Sequence, residues 1–161
     1  MAEKAIVILG VSLGTRTLGL AVGTRNGLID WRMKAFLETY SRKKVRKIWR
    51  VIELAIDRYG VTAIGMRLPH PSFRSEGINQ CLKEITKRAL AKNIPLYFYD
   101  SETIEKHYLK SPAKNKTELA EKIAEKYPLL KNEYYRLDEN KYYMKIFDAV
   151  AVMELAILEF L

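Results

Sequence analysis

Ile8-Leu9-Gly10-Val11-Ser12-Leu13-Gly14-Thr15-Arg16-Thr17-Leu18-Gly19-Leu20-Ala21-Val22 is the stretch on which the fold turns. From Ala5 to Val11 every residue but Gly10 is apolar, the pattern of a strand covered on both faces. Ser12 to Arg16 interrupts the run as a turn, and Thr17 to Val22 resumes it as a second strand. Arg25-Asn26-Gly27 then signals a hairpin. Leu28 to Phe36 alternates, with Ile29, Trp31, Met33 and Ala35 on one face and Asp30, Arg32 and Lys34 on the other. Three strands joined by short turns make an antiparallel meander.

Beyond the meander the period changes. Ser41 is placed to cap a helix whose apolar side is Val45, Ile48, Trp49, Ile52, Ala55 and Ile56, with Gly60 as its stop. Val61 to Met66 reads as a fourth strand, and Leu68-Pro69-His70-Pro71-Ser72 as a loop at its end. A helix over Ser75 to Lys92 follows, with Ile78, Leu82, Ile85, Ala89 and Leu90 inward. Leu96 to Tyr99 is a fifth strand, ending at Asp100. Ser101 caps a short helix to about Leu109, which Ser111-Pro112 interrupts. A small helix runs from Lys116 or Thr117 to Lys126. Residues 129–140 read as an irregular, exposed connection. Tyr142 to Phe160 is the last and most apolar helix, and its final residues should pack on the sheet. With the interrupted 101–126 segment counted as one helical region, the order is β-β-β-α-β-α-β-α-α. That order makes an α/β fold, a mixed five-stranded sheet with helices on both faces, and the length suits one domain over residues 1–161.

Composition narrows the function classes. An apolar fraction of 48% supports a packed core and argues against a disordered or fibrous chain. No stretch approaches the roughly 20 apolar residues of a membrane span, and the start has no secretory pattern, so the expected compartment is the cytoplasm. One cysteine, Cys81, allows neither an internal disulfide nor a thiolate metal cluster, and its helical position beside Leu82 reads as a small hydrophobe. Lys plus Arg is 28 against 19 Asp plus Glu, a net charge of +9. A field of that sign attracts polyanions, and serves equally as plain solubility.

The element order, the first hairpin Ile8 to Val22 and the C-terminal run Phe147-Asp148-Ala149-Val150-Ala151 together resemble the ribonuclease H-like superfamily. Within it the chain is most similar to the RuvC and YqgF branches, the Holliday junction resolvases and the related pre-ribosomal-RNA processing nucleases. Ser75-Glu76-Gly77 after a proline-bearing loop resembles the YqgF branch, and Ala113-Lys114-Asn115-Lys116 the RuvC branch. The resemblance implies a site of two divalent ions about 4 Å apart that activate water and stabilise the leaving oxygen. Their carboxylate ligands would come from the ends of the first and fourth strands and from the last helix.

At those positions this chain has mostly lost its acids. Ser12 stands at the first, Gly65 or Met66 near the second with Arg67 following, and Lys145 one helical turn before Asp148, the acid the resemblance retains. A neutral hydroxyl cannot bridge two ions, and a Lys-Asp spacing of three allows an ion pair on one helix face. Glu76 and Asp100 are the acids that would have to join Asp148 in a shifted metal site. Their plainer readings are a helix-start acid and a turn residue. His70 and His107 carry no metal spacing and read as surface histidines.

Ser12, Arg16, Arg67, Arg74, Lys114, Lys116 and Lys145 gather, on this fold, around the C-terminal edge of the central strands as a nucleic-acid surface. Arg42, Lys43, Lys44, Arg46, Lys47 and Arg50 surround the first helix and read as a solvated face. Trp31 and Trp49 read as core. Tyr134, Tyr135, Tyr142 and Tyr143 mark a possible homodimer contact. The leading expectation is a noncatalytic ribonuclease H-like protein binding branched DNA or structured RNA, with no cofactor. Its rivals are an active endonuclease using Mg²⁺ or Mn²⁺ at Asp148, and an interaction domain with no nucleic-acid role. A nucleotide-binding relative of the actin-like proteins, with Gly14-Thr15-Arg16 facing a phosphate, is the weakest of the readings, because this chain is short for the two lobes that enclose a nucleotide.

Overall fold

The computed structural model describes residues 5–111 and 117–160. Its sheet contains β1 (Ile8–Leu13), β2 (Thr17–Thr24), β3 (Gly27–Ala35), β4 (Ala63–Arg67) and β5 (Leu96–Tyr99), in the spatial order β3-β2-β1-β4-β5. The meander pairs antiparallel, and β1, β4 and β5 run parallel. The mixed five-stranded α/β architecture expected from the sequence is what the chain forms.

Helices α1 (Arg42–Tyr59) and α2 (Glu76–Ala91) cover one face. The other face carries α3 (Ser101–Tyr108), α4 (Thr117–Lys126), α5 (Lys131–Arg136) and α6 (Met144–Leu158). Among the described residues four helices follow β5, the unexpected one being α5. The helix over 131–136 corrects the irregular connection expected there. Lys-Asn-Glu-Tyr-Tyr-Arg has no apolar period, and the segment is held instead by Leu130 and Leu137, the buried residues that flank it.

Caps set the ends of α1 as the sequence indicated. Ser41 accepts from the Lys44 amide at 3.1 Å, and Gly60 ends the helix in the left-handed region at φ 63°. At α3 the cap is Asp100 and not Ser101, which becomes the first helical residue. In α2, Leu90 is 60% exposed and not inward, because its neighbour Ala89 in the same last turn takes the fully buried position. In β3 the pairing shifts between Val22 and Gly23, so that Asp30 faces Val22 and Leu28 faces Gly23. Ile29 is the extra residue of that bulge and turns outward, while Leu28 joins Trp31 and Met33 against the α6 layer.

The packing of α6 explains the glycines in the central strands. A Cβ on Gly10 would overlap the Ala149 carbonyl oxygen, and one on Gly19 would overlap the carbonyl of Lys145. The helix backbone thus lies directly on β1 and β2, and α6 is apolar on nearly every side because sheet and helices enclose it. At its C-terminal end the Phe160 ring meets Tyr97 edge-on, centroids 5.7 Å apart, so the last residues do return to the sheet. Trp49 is core as expected, and Cys81 is buried, which pushes its thiol upward.

Candidate functional site

The C-terminal edge of β1 and β4, on the α6 face, is where the sequence places a site. β1 runs through Leu13, so Ser12 is a strand residue and not part of the turn, which is confined to 14–16 and closed by Gly14 N–H donating to Thr17 at 2.8 Å. Alternation puts Ser12 on the same face as Gly10, towards α6 and one pleat nearer its first turns. Its hydroxyl is fully buried and finds no hydrogen-bond partner among the described residues.

On β4 the same alternation decides between the two expected residues and favours neither. Gly65 lies under the Val152 carbonyl, and Met66 points to the opposite core with α1 and α2. Arg67, two residues after Gly65, returns to the α6 face. Its Nε stands 3.8 Å from Asp148 Oδ2, and its Nη2 donates to Ser101 Oγ at 3.1 Å. Asp148 is 7% exposed on the inner side of α6. Lys145 extends over the β1–β2 turn, where a Cβ on Gly14 would lie 3.2 Å from its Nζ. Asp148 therefore has an arginine of β4 as its ion-pair partner, where the sequence offered the lysine one turn before it.

These groups form one wall of a cleft of about 700 Å³. Ser101 and Glu105 come to it from one face of α3, Lys141 and Asp138 from the segment before α6, and Thr117 from the start of α4. None of these five was singled out from the sequence. Ser101 and Glu105, four apart on a helix that starts at a strand end, carried the only usable signal. With Arg67, Lys141 and Lys145 facing Glu105, Asp138 and Asp148, the cleft is electrically mixed.

The other expected residues lie elsewhere. Glu76 is the exposed first residue of α2, on the opposite side of the sheet from Asp148, and stabilises the helix start. Asp100 caps α3, its Oδ1 accepting the Thr103 amide at 2.8 Å, and that bond holds its carboxyl below the usual range. Arg74 donates from Nε to the Pro69 carbonyl at 2.8 Å and so fixes its own loop. Arg16 is exposed at the β1–β2 turn and does not line the cleft. Lys114 and Lys116 lie outside the described residues. His70 and His107 are both exposed, as expected of surface histidines, although His107 also reaches inward, its Nε2 standing 3.3 Å from Glu154, which is buried on α6. Of the tyrosines, Tyr134 packs edge-on against Phe147 while Tyr135 and Tyr142 are exposed.

The donor set does not fit a two-metal centre. Magnesium takes several hard oxygen ligands in near-octahedral array. Here one carboxylate lies against a guanidinium, and the first-strand position offers a neutral hydroxyl. Among the described residues no group of three His, Cys, Asp or Glu side chains is placed to hold an ion.

Comparison with solved structures fixes the architecture. The chain superposes on Thermus thermophilus RuvC with a TM-score of 0.68 at 15% identity, covering 92% of this chain and 91% of that one. The fold is that of the RuvC resolvases. The same protein in complex with Holliday junction substrate gives a TM-score of 0.67 over 92% of this chain and 90% of that chain. The yeast mitochondrial Holliday junction resolvase Ydc2 gives 0.61 at 11% identity, over 91% of this chain and 75% of that one. No protein-family model matches the sequence, and no curated protein matches it. No helix among the described residues is long and apolar enough to cross a membrane.

Proposed function

We propose that this protein is a noncatalytic member of the resolvase fold that binds structured nucleic acid, branched DNA or folded RNA, or supports its processing. The observation that carries this reading is the position of Arg67. Its guanidinium reaches Asp148 from the strand end at which the resemblance implies a second acid. A fixed positive charge there repels a divalent cation and attracts a phosphate, so the same replacement removes hydrolysis and favours binding. The net charge of +9 and the likeness of the fold to junction-binding resolvases support a polyanionic ligand.

The test is incubation with a four-way DNA junction and a folded RNA while Mg²⁺ or Mn²⁺ is titrated. Intact substrate and salt-dependent binding are expected. Cleavage that disappears in Asp148→Asn would overturn the noncatalytic reading in favour of a rearranged nuclease. Weak binding that ignores salt would remove the nucleic-acid role and leave an interaction domain.

A further inference from the structure

In the α6-face cleft the cations Arg67, Lys141 and Lys145 stand among the acids Glu105, Asp138 and Asp148. A second hollow, of about 280 Å³, opens on the other face of the same sheet edge; Arg16 and Lys44 line it, and Arg42, Lys43 and Arg46 stand on the first turns of α1, the helix that brings Lys44 and Ile48 to it. The turn Gly14 to Arg16, the loop Leu37 to Tyr40, the start of α1 and the start of α2 enclose it. Lys44 binds these parts together: it is 7% exposed, and its Nζ donates to the carbonyls of Thr15 and Glu38, both at 2.8 Å. The Lys44 ammonium is thus committed to the scaffold. Arg16, Arg42, Lys43 and Arg46 are not. All four are exposed, and none has a side-chain partner among the described residues.

Two features separate this group from an ordinary solvated face. Charge is balanced further along α1, where Lys47 pairs with Glu38, Arg50 with Glu53, and Lys92 of the α2 end with Glu53 and Asp57. Arg42, Lys43 and Arg46, on the first turns, have no such ion pair among the described residues, and Arg58 in the last turn lies over the Tyr59 ring at 5.5 Å. In addition, Arg42 and Lys43 occupy the first turn of a helix that has no acid there. Cations at that end oppose the helix dipole and cost stability. Folding does not require them, and a local rule broken without structural return marks a binding surface.

The hollow also presents flat and apolar surface. Leu37 is 72% exposed and Tyr40 is 45% exposed, although the Tyr40 ring is set against α2, where a Cβ on Gly77 would lie 2.9 Å from it. A supported aromatic ring beside several free cations suits an unstacked base with its flanking phosphates. We infer that this hollow binds an unpaired stretch of nucleic acid, with a base on Tyr40 and Leu37 and phosphates on Arg16, Arg42 and Lys43. The inference rests on the nucleic-acid reading above and deepens it, because a branched substrate exposes unpaired nucleotides beside its duplex arms.

The experiment compares a fluorescein-labelled oligothymidylate of about twelve nucleotides with a fully paired four-way junction across a salt series. The proteins are the wild type, the triple variant R42Q/K43Q/R46Q, Tyr40→Ala and Tyr40→Phe. The wild type is expected to bind both probes. In the triple variant the slope of log affinity against log salt for the oligonucleotide should fall by about 1.4, at roughly 0.7 for each of the two phosphate contacts, Arg42 and Lys43, that it removes. Its thermal midpoint should hold or rise, since the cations oppose the dipole. Tyr40→Ala should bind the oligonucleotide about tenfold more weakly and Tyr40→Phe nearly as well as wild type, since a phenyl face stacks equally. Junction binding without oligonucleotide binding, an unchanged slope in the triple variant, or equal losses in the two Tyr40 variants would each overturn the inference while sparing the broader reading. A wild type that binds neither probe would overturn both.

Discussion

Two carboxylates lie buried on α6, Asp148 near its start and Glu154 in its middle, and their surroundings differ in kind. Glu154 receives the Lys126 ammonium and the Tyr127 hydroxyl in short contacts, with His107 at 3.3 Å. Burial alone would raise its carboxyl, but those donors outweigh the burial and leave it below the usual range. Among the described residues Asp148 has one ion pair, at 3.8 Å, to an arginine whose second nitrogen is already engaged with Ser101, and it borders a cleft. A saturated acid holds helices together, here α3 and α4 onto α6. A loosely paired acid at a cleft wall keeps acceptor capacity that folding does not use.

The comparison breaks most visibly in stability. Glu154→Gln keeps the shape and removes the charge that three donors share, so a loss of about 2 kcal/mol is expected in urea unfolding. Asp148→Asn should change stability by less than about 1 kcal/mol, because a long, partly exposed pair contributes little. Equal losses at the two positions would dissolve the distinction between them.

Much of this arrangement was readable in the sequence, and the reason it was not all readable is parity. The strand and helix order, the Ser41 and Gly60 caps and the place of Asp148 follow from period and turn chemistry. Which of Gly65, Met66 and Arg67 faces α6 depends on where β4 begins, and a one-residue change of register inverts every side chain. Arg67 was named as a cation near the site, but its partnership with Asp148 in preference to Lys145 needed the strand. The bulge at Ile29 is invisible for the same reason. Glu154 was missed for another: it sits within an apolar run, and only its isolation there hinted at a buried, paired acid. Lys126, Tyr127 and His107 come to it from two other helices, which local pattern cannot relate.

The second way to sharpen the contrast is pH. Glu154 has a folded-state value below its ordinary 4.5, so its contribution is complete above that value and is lost as pH falls through the folded one. Tyr108 and Tyr127 carry the opposite sign. Burial first, and then the Glu154 charge, hold both phenols above their ordinary 10.0. Their contribution is complete below about pH 10 and is lost as pH rises further. Stability measured across pH should therefore show a plateau that falls on both sides, with the acid-side fall shallower in Glu154→Gln. Tyrosinate absorbance should lag the exposed tyrosines until the chain unfolds. Two buried phenols that titrate near 10 in the folded protein would mean that the Glu154 network is open to solvent.

The smallest expected effect tests the quieter half of the comparison, the empty acceptor side of the site. Ser12 sits where the resemblance implies a metal-binding acid, and its hydroxyl is buried with no partner among the described residues. An unmet hydroxyl in that position costs about 1–3 kcal/mol. Ser12→Ala removes it at almost no loss of packing and should stabilise the protein by about 1 kcal/mol, raising the thermal midpoint by roughly 2–4 °C. A destabilised Ser12→Ala would mean that the hydroxyl is satisfied, by ordered water or by a bound group, and that the corner beside Arg67 and Asp148 is more polar than its side chains alone make it. A stabilised variant that also binds the junction less tightly would place the hydroxyl on the ligand. In that case the position would have exchanged one kind of oxygen, a metal-binding carboxylate, for another that donates to phosphate, which is the same change of sign that Arg67 makes on the neighbouring strand.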